Sequence, residues 1–210
     1  MNRFLLTAAC LMVLSGISIA QVSFGAGGHA GLSFSSFPKG VKDYYGTGFG
    51  GGVHGDLNVV KNFSARFSLD YLTFPSDKKK IAELVANQNG VSASDITFEG
   101  LNLSAISISL NALGKIPITK SSVTPYGVFN FGINFLSGSD GKVTYQGVAQ
   151  PQADIKTESK TKFGLGFGAG TEFAVSPTIR LFLEFKYAMI FTDDENTNHL
   201  PLMVGATFGF

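Results

Sequence analysis

The sequence is short of cysteine, of charge and of long apolar runs, and each shortage excludes something. Its 210 residues contain one cysteine, Cys10. That residue lies in a leader that reads as a signal peptide over 1–20. Arg3 is the charged start, 4–17 the apolar stretch, and Ser18-Ile19-Ala20 a small-x-small cleavage site before Gln21. A lipoprotein reading ending at Ala8-Ala9-Cys10 leaves too short an apolar stretch. Cleavage after Ala20 leaves one domain, 21–210, with neither a disulfide framework nor thiol chemistry. Charged residues make up 15% of the chain, against roughly 25% in soluble domains. Removing Arg3 from the 16 basic residues leaves 15 against 15 acidic ones, so no basic surface invites nucleic acid. Beyond the leader no apolar run is long enough for a spanning helix.

Glycine and phenylalanine are abundant, at 26 and 20 residues. The stretch FGLGFGAGTEF at 163–173 alternates them, with Gly164, Gly166, Gly168 and Gly170 between Phe163, Leu165, Phe167 and Ala169. Period-two alternation of this kind marks strands. It recurs at 22–34, 48–59, 63–73, 106–112, 123–135, 163–173, 179–191 and 199–210, giving eight strands. In the fourth, Leu101 and Leu103 fall on the wrong parity, which a bulge near Ser104, or a strand rising out of the apolar layer, would explain. Loops at 35–47, 75–95, 136–161 and 192–198 are long or polar, and a short helix is expected at 79–87. The linkers at 60–62, 113–122 and 175–177 are shorter. Long loops at one end and tight turns at the other are the build of a transmembrane barrel.

Orientation of the faces follows from magnitude. Eight strands enclose an interior only just wide enough for side chains, and this many Phe and Leu residues would overfill it. Bulky apolar residues are therefore expected to face lipid, with Gly, Ser, Thr, Asn and the ionic residues inside. Phe34, Tyr71, Phe135, Phe163, Tyr187 and Phe191 would mark one membrane interface. Phe63, Phe173, Phe208 and Phe210 would mark the other. The expected fold is all-β, an eight-stranded antiparallel up-and-down transmembrane β-barrel.

Short turns fix registers. A turn centred on Lys61 pairs Val59 with Phe63 and sets Asp56 across from Arg66. One centred on Ser176 sets Glu172 across from Arg180, with Glu184 and Lys186 opposite Gly168 and Gly166. These charges read as a structural plug of lumenal ion pairs. The alternative is an ion path gated by the same groups. His29, His54 and His199 lie on different strands without metal-ligand spacing, so they read as polar fill. No metal or cofactor is expected. His199 neighbours Asp193, Asp194 and Glu195, but no serine stands nearby in sequence to complete a hydrolase triad, and no catalytic residue is assigned.

VTPYGVFNFGINF at 123–135, FGLGFGAGTEFAVSPTIRLFLEFKY at 163–187 and the closing VGATFGF make the chain resemble the outer-membrane-protein β-barrel family of small eight-stranded barrels. The resemblance implies a bacterial outer-membrane address, contact with outer-membrane lipid, and periplasmic termini. Val204, Ala206, Phe208 and Phe210 are similar to the terminal signal that barrel-assembly machinery reads during biogenesis. No peptidoglycan-binding segment is expected after the barrel, which departs from larger members and argues against a cell-wall tether. The functional expectation is a non-enzymatic structural or surface-interaction protein, with an extracellular ligand at loops 75–95 and 136–161. A narrow channel is the first rival, and a lipid A acyl hydrolase or transferase the second. Fold alone does not choose among them.

Overall fold

The computed structural model describes residues 22–36, 44–145, 148–149, 159–192 and 196–210. The expected signal peptide and the loop charges at 39–43, 154–158 and 193–195 lie outside the described residues. In chain order the elements are β1 Ser23–Ser35, β2 Gly48–Val60, β3 Phe63–Phe74, α1 Lys78–Asn89, β4 Ile96–Glu99 and β5 Leu103–Lys115. There follow β6 Val123–Gly138, β7 Lys142–Tyr145, β8 Val148–Ala149, β9 Lys160–Ala174, β10 Ile179–Ile190 and β11 Thr197–Gly209.

Eight of these strands close on themselves in the order β1-β11-β10-β9-β6-β5-β3-β2. All the pairings are antiparallel, and the seam is β1 on β11, from Gly25↔Gly209 to Ser35↔His199. Phe24 and Phe210 exchange backbone hydrogen bonds at its lower end. Closure leaves the barrel no strand edge, as hydrocarbon requires, because lipid offers unpaired N–H and C=O groups no partner. No helix among the described residues is long and apolar enough to cross a membrane.

The faces are sorted as the alternation requires. Phe129 and Phe167 are 53% and 59% exposed on the outside, whereas Glu184 is 4% exposed. Phe34, Phe135, Phe163 and Phe191 lie exposed toward the long-loop end, and Phe63, Phe173, Phe208 and Phe210 toward the short-turn end. Both girdles thus lie on the lipid face. The lumenal face, in contrast, is built by pairing bulk with absence. His54 lies across from Gly27, Phe182 from Gly205 and Tyr126 from Gly170. A Cβ at Gly205 would sit 2.5 Å from Phe182 Cζ, and one at Gly170 2.5 Å from Tyr126 Oη. The glycine rows are sockets for large inward side chains, which is what makes so narrow a cylinder packable.

Two expectations about the strands are corrected. No bulge occurs near Ser104, because β3 and β5 keep one register from Phe63↔Gly114 to Phe74↔Leu103. Leu103 points inward and packs against Leu72, Phe74 and Met203. Its parity was anomalous only on the assumption that the whole lumen is polar. Leu101 is outside the strand altogether, at φ 58° beside Gly100 at φ 81°. In addition, β5 runs on to Lys115, so most of the expected linker at 113–122 is a turn over 116–122.

Outside the barrel the chain builds a module that the alternation does not reveal. α1 begins at Asp77, whose side chain accepts from the Lys80 amide at 3.3 Å, and ends at Gly90 with φ 66°, the left-handed cap that glycine adopts without a Cβ clash. Ala82 and Ala86 of α1 pack on Ile96 and Phe98 of β4. β4 pairs with β7, and β7 with β8. Residues of two long loops are thereby fastened into one body.

Phe167→Arg places a cation on the lipid face near mid-strand and should cost about 2–4 kcal/mol, read as a lower unfolding midpoint in lipid vesicles. An unchanged midpoint would mean that this face does not meet hydrocarbon.

Candidate functional site

The chemistry of the described residues is concentrated inside the barrel. Arg66, on the inward face of β3, is 3% exposed. It donates through Nε to Asp56 Oδ1 at 2.7 Å and through Nη2 to Asp56 Oδ2 at 3.0 Å. This is the two-pronged arrangement that suits a guanidinium and a carboxylate. Its Nη1 lies 3.6 Å from Glu184 and its Nη2 3.9 Å from Glu172. The Phe182 ring stacks against it, 4.5 Å from guanidinium carbon to ring centre. Glu184 accepts from Tyr126 Oη at 2.9 Å and pairs with Lys186 at 2.9 Å. Glu172 pairs with Lys115 Nζ at 3.0 Å. Asparagines extend the network: Asn130 donates to Asn111 at 2.8 Å, and Asn111 to the Arg66 carbonyl at 3.2 Å.

Asp56 lies across from Arg66, as a turn centred on Lys61 requires, although Val60 rather than Val59 opposes Phe63, with a register shift between Asn58 and Val60. The second hairpin differs from expectation by two residues. Arg180 lies across from Ala174 and Glu172 across from Phe182. Glu184 and Lys186 oppose Gly170 and Gly168 instead of Gly168 and Gly166. The cause is a wider turn, in which Val175 and Ser176 both donate to the Ile179 carbonyl, and Ser176 Oγ accepts from the Thr178 and Ile179 amides. Arg180 is consequently a distant partner of Glu172 at 3.9 Å, and Lys115 is the near one. Lys115 escaped notice in the sequence because it was counted in a linker. The parity of Ser107, Ser109 and Asn111 continues to it and marks it as lumenal.

The histidines form two groups that no sequence spacing displays. His29, His54 and Asp70 come together from three adjacent strands. Asp70 meets His29 Nε2, His29 Nδ1 lies 3.3 Å from His54 Nδ1, and His54 Nε2 lies 2.9 Å from Thr207 Oγ1. With both rings neutral, one set of tautomers satisfies the chain: His29 Nε2–H donates to Asp70, His54 Nδ1–H to His29, and Thr207 to His54. Every ring nitrogen is used within the protein, so the group needs no ligand. Among the described residues no cluster suited to a metal ion is present.

His199 has a serine after all: Ser33 Oγ lies 2.9 Å from its Nδ1, brought across the seam from β1. Ser33 is 0% exposed, so the pair is enclosed within the barrel. The acids at 193–195 lie outside the described residues.

The inward charges of the network are Asp56, Asp70, Glu172 and Glu184 against Arg66, Lys115, Arg180 and Lys186. Asp56, Glu172 and Glu184 are shared among the four cations, while Asp70 meets His29. Buried ions are tolerable only when so paired.

An antiparallel eight-stranded cylinder, oily without and ionic within, defines an integral membrane β-barrel. The chain belongs to the outer membrane protein beta-barrel domain family, whose model matches residues 5–208, and its place is the bacterial outer membrane. It is similar in fold to a major outer membrane protein from Thermus thermophilus, with a TM-score of 0.58 at 16% identity over 90% of this chain and 99% of that one. It is likewise similar to neisserial surface protein A, with a TM-score of 0.53 at 18% identity over 90% and 97%. Among curated proteins, none matches the sequence.

Arg66→Ala strands Asp56 and strips a cation from Glu184, and should cost about 3–5 kcal/mol of stability. Arg180→Ala, at a group one-quarter exposed, should cost well under half as much. Equal losses in vesicle unfolding would overturn this ranking.

Proposed function

We propose that the protein is a non-conducting, non-enzymatic outer-membrane barrel that displays a folded loop module as an interaction surface. The observation that carries this reading is the docking of α1 and β4 onto β7 outside the barrel. Loops that merely joined strands would need no small core of their own. A scaffold that fixes loop shape lowers the ordering cost of recognition, which supports a ligand at loops 75–95 and 136–161. Because outer-membrane barrels carry their longer loops outward, that surface faces the exterior.

Against conduction stand Phe182, Tyr126, Leu113 and Val128, all buried in the lumen. Together with the paired charges they fill the cross-section where a pore would pass. Against hydrolysis stands the full burial of Ser33. The lumenal pairs are on this reading structural, and their role is to make a filled interior tolerable in charge as well as in volume. Val204, Phe208 and Phe210 lie exposed on the lipid face of the last strand with Ala206 beside them, a surface suited to the barrel-assembly machinery.

Two measurements test the proposal. Planar bilayers holding the protein should show no discrete conductance steps; such steps would favour the channel. Replacing 78–99 with a flexible linker should preserve the heat-modifiable mobility of the barrel while abolishing surface adhesion of cells that express it. Retained adhesion would remove the loop module from the function. Deleting Phe210 should lower the folded fraction in cells, and normal assembly would withdraw the role given to that end.

A further inference from the structure

The lumen is filled unevenly, and the difference points to a binding site. Toward the short turns it is packed with paired charges and aromatic rings. At the long-loop end it opens into a cavity of about 270 Å³. The walls there are apolar: Leu72, Phe74, Leu103, Leu136 and Ile190 all lie on the inward parity of their strands. Its floor is His199 and Ser107, which also line the smaller space beneath, beside Asn134 and Lys186. At its rim stands the exposed ammonium of Lys160. No carboxylate is among the described lining residues.

This arrangement is not what lumen filling requires. Inward leucine, isoleucine and phenylalanine side chains around open space forfeit the contacts that a filled core supplies, and apolar cavities of such size take up apolar guests. The volume falls just under the range of about 300–1,000 Å³ usual for small-molecule sites. It accommodates a single short chain and excludes a two-chain lipid. At the floor Ser107 donates to Asn134 and His199 is held through Nδ1 by Ser33. A carboxylate sent downward meets no cation at that floor, and among the described lining residues the cation is Lys160 at the rim.

We propose that the outer mouth of the barrel binds a single-chain carboxylate of medium length, entering from the exterior, with its hydrocarbon among Leu72, Leu103 and Ile190 and its carboxylate at Lys160. The site is separate from the loop-display reading and stands or falls without it.

The test is decanoate titrated into the folded barrel in lipid nanodiscs, followed by methyl NMR. Saturable shifts are expected at Leu103, Leu136 and Ile190, with lipid-facing Leu110 and Leu181 unmoved. Ala105→Phe, which fills the cavity from β5, should abolish the shifts while heat-modifiable mobility certifies folding. Leu103→Trp does the same from a second position should the first variant fail to fold. Lys160→Glu should weaken binding about three- to fivefold, the scale of one exposed ion pair. Decyltrimethylammonium, of matching chain and opposite charge, should bind more weakly than decanoate. Absence of saturation, shifts that include Leu110 and Leu181 equally, or binding that survives both filling variants would overturn the site. Equal binding of the cationic probe would overturn the role of Lys160.

Discussion

Hydrocarbon cannot hydrogen-bond, and the rest of this structure follows from that. A strand placed in lipid must find partners for all its backbone groups within the protein, so the sheet has no choice but to close. The pairing of β1 with β11 is the closing contact. Eight strands then fix the diameter, and the diameter fixes a second constraint, since the interior is too narrow for bulk on every strand. Phe182 over Gly205 and Tyr126 over Gly170 are the solution. Each large lumenal ring takes the volume that its neighbour gave up.

The same narrowness governs the electrostatics. Charges facing a dry, crowded interior are costly unless partnered, and here Arg66 serves as the hub for Asp56, Glu172 and Glu184. One cation held among several carboxylates leaves little freedom to exchange partners. The middle of the lumen is thus occupied by the groups that stabilise it, and open space is left at the long-loop end. The long-loop end carries both distinctive features, a folded module outside the cylinder and an apolar vestibule within its mouth.

Much of the fold was legible because a β-barrel writes its two environments into alternate residues. Phe163, Leu165 and Phe167 against Gly164, Gly166 and Gly168 needed no partner strand to be understood. The Asp56–Arg66 pairing was legible too, since the turn between β2 and β3 is tight enough to count across. Counting failed at β9 and β10, where Ser176 widens the turn with its own hydrogen bonds and shifts the register by two. It failed again for Leu103, whose inward apolar side chain contradicted the assumption of a uniformly polar lumen. The short pairing of β4 with β7 was missed because strands of four residues carry too few alternations to stand out from a loop.

Local order, then, was settled by the sequence: which residues meet lipid, how many strands cross, and which stretches join them. That information is periodic and one-dimensional, and water and hydrocarbon read it one residue at a time. Contacts between strands distant in the chain were settled only by closure. Ser33 beside His199, Asp70 beside His29 and Lys115 beside Glu172 depend on cumulative register around the cylinder, and a single turn of different width would have brought other side chains together.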